Sequence, residues 1–156
     1  PKILDKVAKE FIVFPNPYPY GVDFLIRKGK RILCGIEVEE RSGYWHSEKE
    51  FPYDMINVPY RKRKFFDCTY SIFYLVIRGD KRSALLFDLR GVKNYPVLDQ
   101  FTVRNPVDKG VKERFFQYPR DYAITGFKEI NSFLLKWLRR EYAKENTNSN
   151  DQVSMP

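Results

Sequence analysis

Residues 22–41 decide how this chain folds, and they read VDFLI RKGKR ILCGIEVEER. The first and last blocks are apolar runs rich in Val and Ile, and the block between them is basic and contains a glycine. Apolar runs separated by a short Gly-containing segment predict the two strands of a β-hairpin. We therefore expect a hairpin whose loop is formed by Lys28, Gly29 and Lys30.

Three of the acidic side chains in these runs are candidates for one site: Asp23, Glu37 and Glu39. Because side chains alternate along a strand, Glu37 and Glu39 share one face, while Ile36 points into a core on the other. The expected pairing puts Asp23 on the acidic face, opposite Gly35 and diagonal to Glu37. Like charges this close repel one another unless a cation or a proton lies among them. Carboxylates at this separation suit a hard divalent ion such as Mg²⁺.

This arrangement resembles the PD-(D/E)xK (restriction-endonuclease-like) nuclease superfamily, in an E-x-E variant. The resemblance covers roughly residues 4–77. In that superfamily an acid on one strand and an acid-x-lysine pattern on the next hold magnesium and activate water. The resemblance makes Asp23 the first acid and Glu37 the second. Glu39 stands at the lysine position, as in some restriction endonucleases of the superfamily.

The resemblance implies a ligand set and an activity. Asp23 and Glu37 would ligate Mg²⁺ or Mn²⁺, together with the backbone carbonyl of Val38. Glu39 would be a ligand to a second ion or the general base that takes a proton from the attacking water. The implied activity is metal-dependent endonucleolytic hydrolysis of phosphodiester bonds in DNA, with RNA not excluded as a substrate.

Residues 59–66, PYRKRKFF, contain the densest basic run in the chain. Pro59 suits the first position of a short helix, and the resemblance implies a helix here that brings a cation to the scissile phosphate. Only one or two of the four cations of such a helix can face the acids, and we assign that role to Lys62. The whole run is predicted to bind the nucleic-acid backbone, with a solvated basic face as the alternative: Arg61, Lys62, Arg63 and Lys64.

Two further residues are accessory candidates. An apolar stripe at helical spacing predicts an amphipathic helix over residues 3–13, and Glu10 lies beside that stripe. The resemblance makes Glu10 a supporting residue of the metal site by position, and a solvated helix acid is the alternative. His46, the only histidine, lies in a polar loop where it could relay a proton or contact a phosphate. A lone loop histidine more often does neither.

The segment at residues 15–21, PNPYPYG, contains three prolines and cannot form regular structure. The simpler interpretation is a rigid connector between the N-terminal helix and the hairpin. The alternative is that Tyr18 or Tyr20 stacks on a nucleic-acid base.

The rest of the chain predicts a mixed α/β (α+β) fold. Residues 55–58 form a short strand, residues 70–78 a strand covered on both faces, and residues 83–89 a returning strand. A helix is predicted after Gly126. The resulting order is helix, three strands, short helix and two strands. We therefore expect a restriction-endonuclease-like core, a central mixed sheet of about five strands flanked by helices.

Composition predicts a single folded domain. Hydrophobic residues make up 43% of the 156 residues and aromatic residues 17%, too many for a disordered chain. Residues 1–145 are assigned to one nuclease-like domain, and the polar residues 146–156 to a disordered tail. Superfamily members that cut duplex DNA mostly act as dimers or beside another domain, so a chain of this length suggests a homodimer, a catalytic fragment or a structure-directed cutter.

The charge predicts a polyanionic partner. Lys and Arg number 28 against 20 Asp and Glu, which gives +8, and nucleic acid is the leading candidate with an acidic membrane surface second. Two cysteines do not make a disulfide framework or a zinc site, and a single histidine poorly supplies Cys/His zinc chemistry and histidine-based triads. The sequence shows no signal peptide and no membrane-spanning run, so we expect an intracellular, cytoplasmic protein.

Two other classes of function compete with the nuclease. The first is a non-catalytic nucleic-acid-binding module, in which aromatic loops stack bases and the acids are incidental. The second is a protein-interaction domain, for instance of a phage or plasmid factor. Metal-independent binding without cleavage distinguishes the first class, and little affinity for DNA at low salt distinguishes the second.

Overall fold

The computed structural model describes residues 3–41, 45, 51–101 and 112–151. Within these residues the strands are β1 (Ile12–Pro15), β2 (Phe24–Lys28), β3 (Arg31–Arg41), β4 (Met55–Pro59), β5 (Ser71–Arg78), β6 (Ala84–Asp88), β7 (Val97–Phe101), β8 (Lys112–Pro119) and β9 (Ile124–Thr125). The α-helices are α1 (Leu89–Val92) and α2 (Phe127–Asp151). Short 3₁₀ helices lie at Val7–Lys9, Tyr60–Phe65 and Arg120–Tyr122, and the second of them is here called the basic 3₁₀ helix.

The main sheet has six strands in the order β1-β2-β3-β5-β6-β9. Strands β3 and β5 are parallel, and every other neighbouring pair in this sheet is antiparallel. The predicted mixed α/β class is therefore confirmed, with six strands in the sheet instead of about five.

Strand β4 lies outside the main sheet. It pairs with β8, and β8 pairs with β7, in a separate three-stranded antiparallel sheet. The predicted strand at residues 55–58 is present, but its partner comes from the aromatic strand β8, where Phe116 lies opposite Val58. A local apolar pattern predicts that a strand forms and does not identify the distant strand that pairs with it.

The predicted N-terminal helix over residues 3–13 is wrong. Only a turn and the 3₁₀ helix Val7–Lys9 form, and the Phe11 N–H donates to the Val7 carbonyl at 2.9 Å. Ile12 then begins β1, which runs antiparallel to β2. The β-branched and aromatic residues of β1 satisfy their backbone groups in the sheet, so the helical spacing of the preceding residues does not continue.

The predicted hairpin forms with a tighter loop than expected. Lys28 pairs with Arg31, so the loop is Gly29 and Lys30 rather than three residues. Gly29 has φ of +58°, a left-handed conformation that glycine adopts without the steric cost of a Cβ.

The hairpin register also differs from the prediction. An irregularity between Ile26 and Arg27 shifts the pairing, and Leu25 instead of Asp23 lies opposite Gly35. The shift is two residues (25 against 23), an even number, so the side-chain faces are unchanged. Asp23 therefore stays on the face predicted for it, directly before the first residue of β2.

Apolar cores cover both faces of the main sheet. The core between the two sheets includes Tyr74, Val76 and Phe116. The core under α2 includes Ile36 and Leu134. Strand β5 contributes to both cores, and six of its eight residues are buried, which confirms the prediction of a strand covered on both faces.

Helix α2 begins directly after Gly126, as predicted. The buried side chain of Asn131 ties the N-terminal segment to this helix, because its Nδ2 donates to the carbonyls of Ile3 and Phe127, each at 2.8 Å. The helix runs to Asp151, past the predicted start of the tail at residue 146, and neither Gly nor Pro interrupts this stretch. Within the described part of the chain, no helix has both the length and the apolarity needed to cross a membrane.

Candidate active site

Strand β3 carries two acids toward the core between the two sheets. Glu39 contacts Tyr74, a member of that core, whereas Ile36 lies in the core under α2. The alternation along β3 that the sequence predicted is therefore present. Glu37 is only 5% exposed, an unusual position for an ionisable side chain.

Asp23 is held at the start of β2 by its backbone and its side chain. Its carbonyl accepts a hydrogen bond from Asn16 N–H at 2.9 Å, which closes the preceding loop. Its Oδ2 accepts a hydrogen bond from the backbone N–H of Val38 at 2.7 Å. Val38 follows Glu37 directly, so this bond fixes the exposed Asp23 carboxylate beside the buried Glu37 carboxylate.

Glu37 is paired with a cation from the basic 3₁₀ helix. The Nζ of Lys62 contacts Glu37 Oε1, and both side chains are largely shielded from solvent. Among the described residues Glu37 Oε2 has no hydrogen-bond partner although it is buried. A buried oxygen without a partner is costly, so this oxygen is suited to accept a bound cation or a proton.

Burial raises the pKa of Glu37 above its ordinary value, because the ionised carboxylate loses hydration. The hydrogen bond and charge of Lys62 lower this pKa, the nearby Asp23 raises it, and Lys64 lowers it. Burial prevails, and the pKa remains raised. The ionised form of Glu37 therefore depends on the cations around it.

Both oxygens of Glu39 are engaged within the chain. Arg41 Nε donates to Oε1 at 2.8 Å, and the hydroxyl of the buried Tyr74 donates to Oε2. Arg41 also donates to the carbonyl of Asn57 on β4, so Glu39 orients the arginine that joins the two sheets. Arg41 and Tyr74 were not predicted from the sequence as members of this site. The sequence signal for Tyr74 is that a tyrosine in an otherwise apolar strand needs a hydrogen-bond partner for its hydroxyl.

The other three cations of the basic 3₁₀ helix contact partners other than Glu37. Arg61 pairs with Glu113 at 3.0 Å, and the guanidinium of Arg63 lies over the ring of Tyr60 at 4.2 Å. Lys64 Nζ donates to the carbonyl of Tyr20 at 3.1 Å. Of the four cations, the structure brings to Glu37 the one that the sequence analysis had assigned to the acids.

Of the two accessory candidates, the structure describes Glu10 alone, and Glu10 does not lie at this site. Glu10 forms a two-oxygen ion pair with Arg139 of α2, on the opposite side of the main sheet from the core that contains Tyr74. The hydrogen bond from Arg139 lowers the pKa of Glu10, as expected for an exposed paired carboxylate. His46 lies outside the described residues.

Asp23 and Glu37 are the acids of this site that could bind a divalent ion. Among the residues that the structure describes, no group of three or more His, Cys, Asp or Glu side chains could hold a metal ion. Asp23 and Glu37 form an acidic pair, and Glu37 Oε2 is unused. Mg²⁺ is commonly held by one or two carboxylates, with water and substrate phosphate completing its shell. The pair fits that smaller ligand set, and Glu39, engaged by Arg41 and Tyr74, does not join it.

The geometry therefore consists of a buried carboxylate, an exposed carboxylate fixed beside it, and a shielded lysine in direct contact with the first. No protein-family model matches the chain, and no curated protein matches its sequence.

Proposed function

We propose that this protein is a metal-dependent endonuclease that hydrolyses phosphodiester bonds of DNA, with a restriction-endonuclease-like core. The observation that carries the proposal is the pairing of Lys62 with Glu37 beside Asp23. In the resemblance that the sequence suggests, this is the arrangement of two acids and one cation, with the cation supplied by a helix instead of by position 39.

The energetics of Glu37 support a charged ligand at this site. A carboxylate at 5% exposure with one unpartnered oxygen is an expensive feature of a fold. A residue kept only for packing would be apolar, because replacing a buried ion pair by apolar residues is often neutral or stabilising. Functional sites are where such unfavourable groups concentrate.

The residues have separable roles. Asp23 and Glu37 would hold Mg²⁺ or Mn²⁺, and the bound ion supplies charge neutralisation at the phosphate and a more acidic water. Lys62 stabilises negative charge at the phosphate while holding Glu37 Oε1 in place. Glu39 acts as a positioning residue for Arg41, because Arg41 donates to one of its oxygens and Tyr74 holds the other.

Cleavage assays on paired variants test this function. Wild type, Asp23→Asn, Glu37→Gln and the control Glu40→Gln, an exposed acid on the same strand, are compared on supercoiled plasmid and linear duplex DNA. Each is assayed with Mg²⁺, with Mn²⁺ and with EDTA. We expect metal-dependent cutting by wild type and Glu40→Gln and loss of cutting in the two site variants. Cutting in EDTA, or equal activity of all four proteins, would refute the proposal.

A non-catalytic nucleic-acid-binding module is the second candidate, and a specific observation favours it. Each acid already has a partner in the chain: Asp23 has Val38 N–H, Glu37 has Lys62, and Glu39 has Arg41 and Tyr74. Binding in EDTA that equals binding in Mg²⁺, with no cutting in any metal, would select this candidate.

A further inference from the structure

The loop that precedes Asp23 presents two tyrosines to solvent. Tyr18 is 74% exposed and Tyr20 is 87% exposed, the two highest values among the exposed large hydrophobic residues of the described chain. Tyrosine is enriched at binding surfaces, because its ring offers apolar contact area and its hydroxyl can remain hydrated. Residues 16–21, here called the tyrosine loop, therefore present two side chains suited to contact a partner.

The tyrosine loop is internally fixed. Asn16 N–H donates to the Asp23 carbonyl at 2.9 Å, and Asn16 Oδ1 accepts from Tyr18 N–H at 3.1 Å. Gly21 N–H donates to the Tyr18 carbonyl at 3.1 Å. A Cβ at position 21 would lie 2.1 Å from Asn16 Nδ2, so a side chain there would displace the amide that accepts from Tyr18 N–H. Together with Pro17 and Pro19, these bonds restrain the backbone that carries the two rings before any ligand arrives.

The tyrosine loop also touches the candidate active site. Lys64 Nζ donates to the Tyr20 carbonyl at 3.1 Å, and the charge of the same lysine acts on Glu37. Arg63, the neighbouring residue on the basic 3₁₀ helix, is exposed. Two exposed tyrosines thus lie on a loop that leads to Asp23 and contacts the basic 3₁₀ helix.

We propose that the tyrosine loop binds single-stranded nucleic acid, with bases stacked on Tyr18 and Tyr20 and the backbone neutralised by the basic 3₁₀ helix. The proposal rests on the proposed function and names its substrate class: a single-stranded or unpaired segment entering the acidic site. Rings fixed beside cations are the combination that binds single strands without sequence preference, because every base has a π-face. Bases stacked inside a duplex do not offer that face.

The test measures binding in EDTA, so it does not depend on cleavage. Fluorescence anisotropy follows labelled oligothymidylate, oligouridylate of equal length, and a duplex containing the same oligothymidylate. The variant Tyr18→Ala/Tyr20→Ala is compared with Tyr18→Phe/Tyr20→Phe, which keeps the rings. Tyr122→Ala, which removes an exposed tyrosine outside the loop, is the matched control. Circular dichroism verifies that each variant is folded.

We expect the alanine variant to lose about a hundredfold in affinity for the single strand, since each stacked base contributes about tenfold. The affinity of the alanine variant for the duplex should fall much less. The phenylalanine variant and Tyr122→Ala should bind the single strand as tightly as wild type does. The slope of affinity against salt should stay unchanged in the alanine variant, because no cation is removed. Comparison of the thymidylate and uridylate arms shows whether DNA or RNA is preferred.

Other outcomes are decisive in different ways. If wild type binds the single strand and the alanine variant binds it equally well, stacking is refuted while the nuclease proposal stands. If the alanine substitutions lower the affinity for the duplex and for the single strand equally, the single-strand assignment is refuted. If wild type binds no nucleic acid at low salt, both proposals fail.

Discussion

Lys62 and Glu37 are 25 residues apart in the chain, and the ammonium of the first contacts Oε1 of the second. Their side chains are 13% and 7% exposed, so solvent screens this ion pair far less than a surface pair. Removal of one partner from a shielded pair leaves an uncompensated charge. The pair therefore matters both to the chemistry of the site and to the stability of the protein.

Lys62→Gln should reduce the initial rate of plasmid cleavage by about a hundredfold, since a cation that stabilises charge at the phosphate is removed. Lys136→Gln removes an exposed cation of α2, which packs against the core that contains Ile36 and not the one that contains Tyr74, and it should stay within about threefold of wild type. Rates are measured with Mg²⁺ under conditions where each variant is folded. Equal losses in the two variants would mean that the cleavage rate depends on the total positive charge of the protein and not on the position of Lys62.

The raised pKa of Glu37 predicts how stability depends on pH. Folding opposes ionisation of this carboxyl, so its favourable contribution is fully present below its ordinary pKa of 4.5 and is lost as pH rises through the raised folded-state value. The free energy of unfolding of wild type relative to Glu37→Gln should therefore fall as pH rises across that window. Urea denaturation in EDTA at a series of pH values measures it. A trend of opposite sign would contradict the assigned burial of Glu37.

The contact between Tyr74 and Glu39 should appear as an energetic coupling. Glu39→Ala leaves the buried Tyr74 hydroxyl without its acceptor and should cost about 1–3 kcal/mol of unfolding free energy. Tyr74→Phe should cost about 1 kcal/mol, and the double variant should cost less than the sum. Urea denaturation of the full cycle gives the coupling. Tyr122→Phe, at an exposed tyrosine, should be neutral, and strict additivity in the cycle would refute the contact.

Gly35 makes room for the segment that carries Asp23. A Cβ at position 35 would lie 2.8 Å from Val22 Cγ2 and 3.3 Å from the Tyr70 ring. Gly35→Ala should therefore destabilise the protein by about 1–3 kcal/mol and displace Asp23, the residue after Val22. At Gly91, in α1, the nearest atom to an added Cβ is 3.8 Å away.

Gly91→Ala should be neutral or stabilising by about 0.5–1 kcal/mol, because alanine suits a helix and no atom obstructs it. Thermal denaturation compares the two glycine variants under identical conditions. A neutral Gly35→Ala would show that the hairpin adjusts to the extra methyl group without strain.

Features that depend on side-chain alternation along a strand and on residue spacing along a helix were predicted correctly from the sequence. Period-two alternation put Asp23 and Glu37 on one face, and this conclusion survived a register shift because the shift was even. Helical spacing allowed only one or two of four cations near the acids, and Lys62 is the one in contact with Glu37. Both features follow from local backbone geometry, which residues close in sequence determine.

Features that depend on distant partners were not predicted. The pairing of β4 with β8 joins segments far apart in sequence, and the irregularity between Ile26 and Arg27 has no signal in the sequence pattern that predicted the hairpin. The helical spacing before Ile12 was outweighed by pairing of β1 with β2. The roles of Arg41 and Tyr74 depend on which side chains β3 and β5 bring together, and a single sequence does not contain that register.

The parallel pairing of β3 with β5 also has a consequence for the order of folding. The connection between these strands contains β4 and the basic 3₁₀ helix, so pairing must close a long loop before Glu37 leaves water. We expect parallel pairing across such a loop to form more slowly than the local β2–β3 hairpin, because the entropy of loop closure must be lost first. Lys62 lies within that same loop, so its ammonium is expected to approach Glu37 as the loop closes. The carboxylate of Glu37 would then lose its hydration beside its counter-ion instead of alone.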